Sequence, residues 1–148
     1  IDATRRASGR GTTGQGIRLS AEERRALERH SVGVATVWLE DQGWKVDDVG
    51  LFRPYDLHCE KGSLELRVEI KGTTGDGSAV LLTPGEVRHA REHQNTALIV
   101  VSGIRLSRDG SGEVVASGGS LKVLNPWELD KDGQLHATGY SYELFDRG

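Results

Sequence analysis

The stretch Leu64-Glu65-Leu66-Arg67-Val68-Glu69-Ile70-Lys71 decides how this chain is read. Its apolar residues fall on even positions and its charged ones on odd, the period-2 alternation of a strand with one buried face. Glu69 and Lys71 therefore point the same way, and Asp56, in Pro54-Tyr55-Asp56 on the strand before, brings a second carboxylate beside them. Two carboxylates hold a hard cation such as Mg²⁺ or Mn²⁺, while an ammonium faces the same substrate phosphate. Phosphodiester hydrolysis needs a nucleophilic water and a stabiliser for charge on the non-bridging oxygens. The cation supplies both, and Lys71 orients the water or neutralises the developing charge. The bland alternative is a charged Glu-x-Lys on a solvated strand face, which is commonplace.

Surrounding elements give the triad its context. Ser20 reads as a helix N-cap with Glu23 completing a capping box, and the helix is expected to run to about Asp41, with Gly43 as its stop. Trp44 to Val49, Tyr55 to Glu60 and Leu64 to Lys71 read as three strands, the last two joined by a turn at Lys61-Gly62-Ser63. Thr83 and Pro84 open a second helix that ends near His93. The apolar run Ala97 to Val101 reads as a buried strand. Glu113 to Ala116 and Leu121 to Leu124, separated by Ser117-Gly118-Gly119-Ser120, suggest a C-terminal hairpin that extends the sheet.

Helix, strand, hairpin carrying Asp then Glu-x-Lys, helix, strand is the order of the PD-(D/E)xK nuclease core, which the chain resembles from roughly Ser20 to Gly103. More closely, it resembles the family of domains named for the C-terminal region of the protein NO VEIN. The resemblance is carried by Gln42-Gly43-Trp44-Lys45-Val46, Pro54-Tyr55-Asp56-Leu57, Val68-Glu69-Ile70-Lys71-Gly72-Thr73-Thr74 and Leu82-Thr83-Pro84-Gly85-Glu86-Val87. It implies an α/β, restriction-endonuclease-like fold with a mixed central sheet flanked by helices. It also implies a place within a larger restriction, defence or DNA-processing protein. The implied activity is metal-dependent DNA hydrolysis, with Asp56, Glu69 and the backbone carbonyl of Ile70 on the metal and Lys71 assisting the water. Nucleases of this kind often add an acid from the first helix. Glu28 is the candidate, since it shares a helical face with Val32, Ala35 and Leu39, although the preferred reading places it at the edge of that stripe, paired with Arg24 or Arg25.

At 148 residues, 36% hydrophobic and 28% charged, the chain suits one domain with an ordinary core and has no apolar run long enough to cross a bilayer. It contains no methionine, which suggests a piece of a longer product. A single cysteine rules out an internal disulfide framework and points to an intracellular setting, cytoplasmic if the source is prokaryotic; Cys59 should share a buried face with Leu57. The net charge of −3 argues against a broad nonspecific nucleic-acid surface.

Residues 1–18 carry Arg5, Arg6, Arg10 and Arg18 against Asp2 alone, within a glycine-rich run that reads as an interdomain linker or as a basic arm following a phosphate backbone. The folded domain is expected over 19–148. Thr73 and Thr74, in the loop after Lys71, and Arg88 and Arg91 on the second helix are further candidate nucleic-acid contacts. His89 and His93 stand four apart, a zinc-compatible spacing, but no third ligand accompanies them and they read as exposed surface histidines. DNA is the expected partner and a homodimer is compatible with the reading. Set against the nuclease are a non-cleaving nucleic-acid reader of the same fold and a protein-interaction module.

Overall fold

A computed structural model describes residues 19–139 and 141–146. Helix α1 (Ala21–Asp41) starts where the side chain of Ser20 accepts the amide of Glu23 at 3.1 Å and Glu23 accepts that of Ser20 at 2.9 Å. This reciprocal box satisfies two amides that no preceding turn can reach. The helix stops because Gly43 adopts φ +93°, a left-handed conformation that costs glycine little. Leu27, Ser31, Ala35 and Leu39 recur every fourth residue and form its buried stripe.

Strands β1 (Lys45–Asp48), β2 (Leu57–Lys61), β3 (Leu64–Gly72), β4 (Thr96–Ser102) and β7 (Ser120–Leu124) make one sheet in the order β1-β2-β3-β4-β7. β3 and β4 run parallel and the other pairs antiparallel, so the sheet is mixed. A parallel pair needs a crossover, and helix α2 (Pro84–Glu92) lies within it. On one face α1 packs its stripe against Leu57, Cys59, Leu66, Val68, Ile70, Ala97, Ile99 and Val101. Removing side chains of this size from water stabilises by about 1.5–3 kcal/mol each before entropy is counted. The opposite face carries a smaller cluster in which Ala90 of α2 meets Leu98, Val100, Trp127 and Leu129, the last opening the short helix α3 (Leu129–Asp132).

α1 crosses β3 at Gly72, where a β-carbon would overlap the Ser31 hydroxyl. That hydroxyl donates to the Leu27 carbonyl at 2.8 Å, so it cannot readily move aside. This contact brings the first half of α1 down beside the end of β3.

Several expectations need correction. Glu113 to Ala116 does not pair with the strand that follows. Instead β6 (Val114–Ser117) pairs with β5 (Arg105–Arg108) in a separate two-stranded sheet, and only β7 extends the main one. Leu106 and Ala116 pack on the α1 side of the core, which gives this small hairpin its own apolar support. β3 is not a strand with one buried face, since Glu69 and Lys71 are 6% and 8% exposed. Nor are the histidines surface residues: His89 is buried and His93 half-buried. Cys59 is buried beside Leu57. Among the described residues no helix is long and apolar enough to cross a membrane.

Candidate metal centre

β2 and β3 pair only as far as Leu57 opposite Val68. The Asp56 amide still donates to the Val68 carbonyl at 3.0 Å, and then the chain turns away toward Pro54. Asp56 thus lies just ahead of β2 rather than within it, and its side chain takes over the place of the missing strand. Oδ2 accepts the Ile70 amide at 2.8 Å. Because N–H and C=O of one strand residue point to the same edge, the Ile70 carbonyl faces the opening that β2 has left.

A cleft forms at that opening. α1 walls it with Arg24, Leu27, Glu28, Ser31 and Val32, β3 floors it with Glu69 to Gly72, and Asp56 and Glu86 close its ends. The cleft therefore unites Asp56, Glu69, the Ile70 backbone and Lys71. Glu28 lines it too, from an exposed position, and among the described residues no ion pair joins Glu28 to Arg24 or Arg25.

Electrostatics set this cleft apart. Burial, and then the charge of Asp56, push the Glu69 carboxyl up to about 10. Burial also raises Asp56, although the Ile70 amide and Lys71 draw it back. Two ionised carboxylates this close only repel, so burial and the charge of Asp56 together favour the protonated form of Glu69 when no cation is bound. No donor elsewhere in the described protein reaches the buried Glu69 Oε2. Such an oxygen is costly to leave unsatisfied unless a ligand is to fill its place. A buried acid with one unsatisfied oxygen, beside another acid and open to a cleft, fits a hard divalent cation.

Glu86 is a member that the sequence reading missed. Its Oε1 accepts the Thr83 amide at 2.9 Å, as its place in the α2 capping box demands, and also accepts Lys71 Nζ at 2.9 Å. Burial opposes its ionisation, but Lys71 and the Thr83 amide outweigh it and hold Glu86 below the ordinary carboxylate range. The capping box was legible in Thr83-Pro84-Gly85-Glu86, yet it supplied a sufficient reason for Glu86 and so concealed a second one. Arg24 was likewise visible only as a partner for Glu28.

Beneath the centre, Arg67 Nη1 lies 3.2 Å from Nε2 of both His89 and His93. A guanidinium only donates, so Nε2 of each imidazole is the acceptor. Burial, His93 and Arg67 lower the pKa of His89 accordingly. Tyr55 stacks on His89 with ring centroids 5.1 Å apart and lies under Arg67. The histidine spacing is thus absorbed by a packed Arg–His–Tyr network. Among the described residues, the acidic and histidine ligands that lie within 4.8 Å of one another as a trio are His58, Glu60 and Glu65. They sit partly or fully exposed on the β2–β3 hairpin, outside the cleft.

Of the other candidates, Thr73 is buried and its hydroxyl accepts the Gly75 amide at 3.0 Å, while Thr74 is half-buried. Arg88 is exposed, and Arg91 is held by Asp130 through two hydrogen bonds of 2.8 and 3.1 Å. Arg5, Arg6 and Arg10 lie outside the described residues.

No curated protein and no solved structure matches the chain. The family model described as Protein NO VEIN, C-terminal, matches residues 18–109, a span that holds α1, the β1–β4 strands, α2 and every cleft residue named above, and the chain belongs to that family.

Proposed function

We propose that the cleft is the active centre of a metal-dependent deoxyribonuclease with a restriction-endonuclease-like core, within a larger DNA-processing or defence protein. The observation that carries this reading is the buried Glu69 Oε2, without a donor, beside Asp56 at the open edge of β3. Asp56, Glu69 and the Ile70 carbonyl are the groups that would hold Mg²⁺ or Mn²⁺, with Glu28 across the cleft as a further oxygen donor. The cation supplies Lewis acidity and an activated water. Lys71 keeps its ammonium directed along the cleft and places a positive charge where the transferring phosphate develops negative charge. Glu86 fixes that ammonium in position.

The test is cleavage of duplex, single-stranded and modified DNA with Mg²⁺ or Mn²⁺. Wild type should cleave at least one substrate, and Asp56→Asn and Glu69→Gln should not. Lys71→Ala should lower turnover with DNA affinity nearly intact, because its charge acts chiefly in the transition state. The Lys71–Glu86 contact also favours a second reading, a non-cleaving nucleic-acid reader whose lysine is already neutralised. Binding without cleavage under either metal would select it. A domain that bound no nucleic acid at low salt would leave a protein-interaction module.

A further inference from the structure

The loop between β1 and β2 presents Leu51, Phe52 and Arg53 to solvent, with Leu51 94% and Phe52 81% exposed. Such exposure is usual in a slack loop, but this one is tied at its base. The Val49 amide donates to the Asp56 carbonyl at 2.9 Å, and the amides of Phe52 and Arg53 both donate to the Val49 carbonyl at 2.9 Å. The tip is therefore a closed turn that holds two large apolar side chains in water, an arrangement that folding alone does not favour.

Its position gives it a use. A β-carbon on Gly50 would lie 3.6 Å from Asp56 Oδ1, so the turn starts against the carboxylate of the cleft. Phe52 is two residues on, which at ~3.8 Å per residue keeps its backbone within about 8 Å of Gly50. Arg53 follows directly, and among the described residues no ion pair engages it. A phosphodiester seated at Asp56 and Glu69 carries its own apolar surface only in its bases.

We propose that Leu51-Phe52-Arg53 is a wedge that enters the base stack of a nucleic acid bound at the cleft, Phe52 and Leu51 against an unstacked base and Arg53 on the flanking phosphate. Apolar wedges of this kind part base steps and favour sites that are already mismatched, bulged or single-stranded. The substrate class is thus DNA with a weakened step rather than uniform duplex. This inference rests on the nucleic-acid reading of the cleft.

The experiment uses the full chain with Ca²⁺ in place of Mg²⁺, titrated against duplexes carrying 2-aminopurine in a mismatched or a fully paired step. Wild type should bind the mismatched duplex more tightly and raise the 2-aminopurine fluorescence. Phe52→Ala should lose about tenfold in affinity, within the range for one base–aromatic stack, and abolish the fluorescence rise with an unchanged salt slope. Phe52→Trp should retain both, and Arg53→Ala should reduce the salt slope by about one. Equal affinity and fluorescence for wild type and Phe52→Ala would overturn the wedge. So would a change of oligomeric mass in Leu51→Ala/Phe52→Ala, which would assign the turn to a second copy of the chain. Phe52-dependent unstacking without cleavage under Mg²⁺ or Mn²⁺ would keep the wedge and sink the hydrolytic reading. No binding of any duplex at low salt would sink both.

Discussion

The two faces of β3 are buried to a similar degree and hold opposite chemistry. Leu66, Val68 and Ile70 face α1 among apolar neighbours, whereas Arg67, Glu69 and Lys71 face α2 and the cleft. The first face gains free energy from every atom it removes from water. The second loses solvation for each charge and recovers only part of it, through the Lys71–Glu86 pair and the Arg67–histidine contacts. A sheet needs the first face to exist. The second has no folding rationale of its own, which makes it the place to look for a ligand.

Substitution on each face breaks the comparison most sharply. Val68→Ala should destabilise by about 2–3 kcal/mol in denaturant unfolding, from lost transfer energy and a cavity at a fully buried site. Glu69→Gln, one residue away, should leave the metal-free protein as stable as wild type or more so, because it removes an acid that burial disfavours. A loss comparable to that of Val68→Ala would show Glu69 to be a structural group.

The pH dependence sharpens the same contrast. Glu69 binds its proton more tightly folded than unfolded, with a value near 10 against 4.5. Between those values the folded state holds more protons, so metal-free stability should fall as pH rises across that window. Asp56 adds in the same direction, and Glu86, shifted downward, contributes a term lost only as pH falls. Thermal melts at pH 5 to 9 in chelator should show the decline, flattened in Glu69→Gln. A wild type that gained stability over this range would contradict the buried-acid account.

The two capping boxes offer a smaller test. Ser20→Ala and Thr83→Ala should each cost about 1 kcal/mol, since they remove the same kind of cap. Only Thr83→Ala should also alter metal-dependent stabilisation, because its box shares Glu86 with Lys71. Equal metal responses would mean that Glu86 does not order the cleft.

What the sequence made legible follows local rules. Alternation along Leu64 to Lys71, the Ser20 and Thr83 boxes and the apolar run before Ser102 each impose their element within a few residues, and Glu69 and Lys71 came together as strand geometry requires, with Asp56 joining them from just ahead of β2. What stayed hidden depends on tertiary partners. β6 carries no mark that tells whether β5 or β7 is its neighbour, and residues 105–108 are too short for periodicity to declare a strand. The burial of His89 comes from Arg67 and Tyr55, distant in sequence, and the second bond of Glu86 required β3 to be in place.

Calorimetric titration of Mn²⁺ into the wild-type domain and Asp56→Asn at pH 8 tests the centre most directly. The account predicts a single site in wild type, with proton release as Glu69 ionises and a raised melting temperature, and at least tenfold weaker binding in the variant. Equal affinity in the two proteins, or heat without proton release, would place the cation elsewhere and contradict the reading of the cleft.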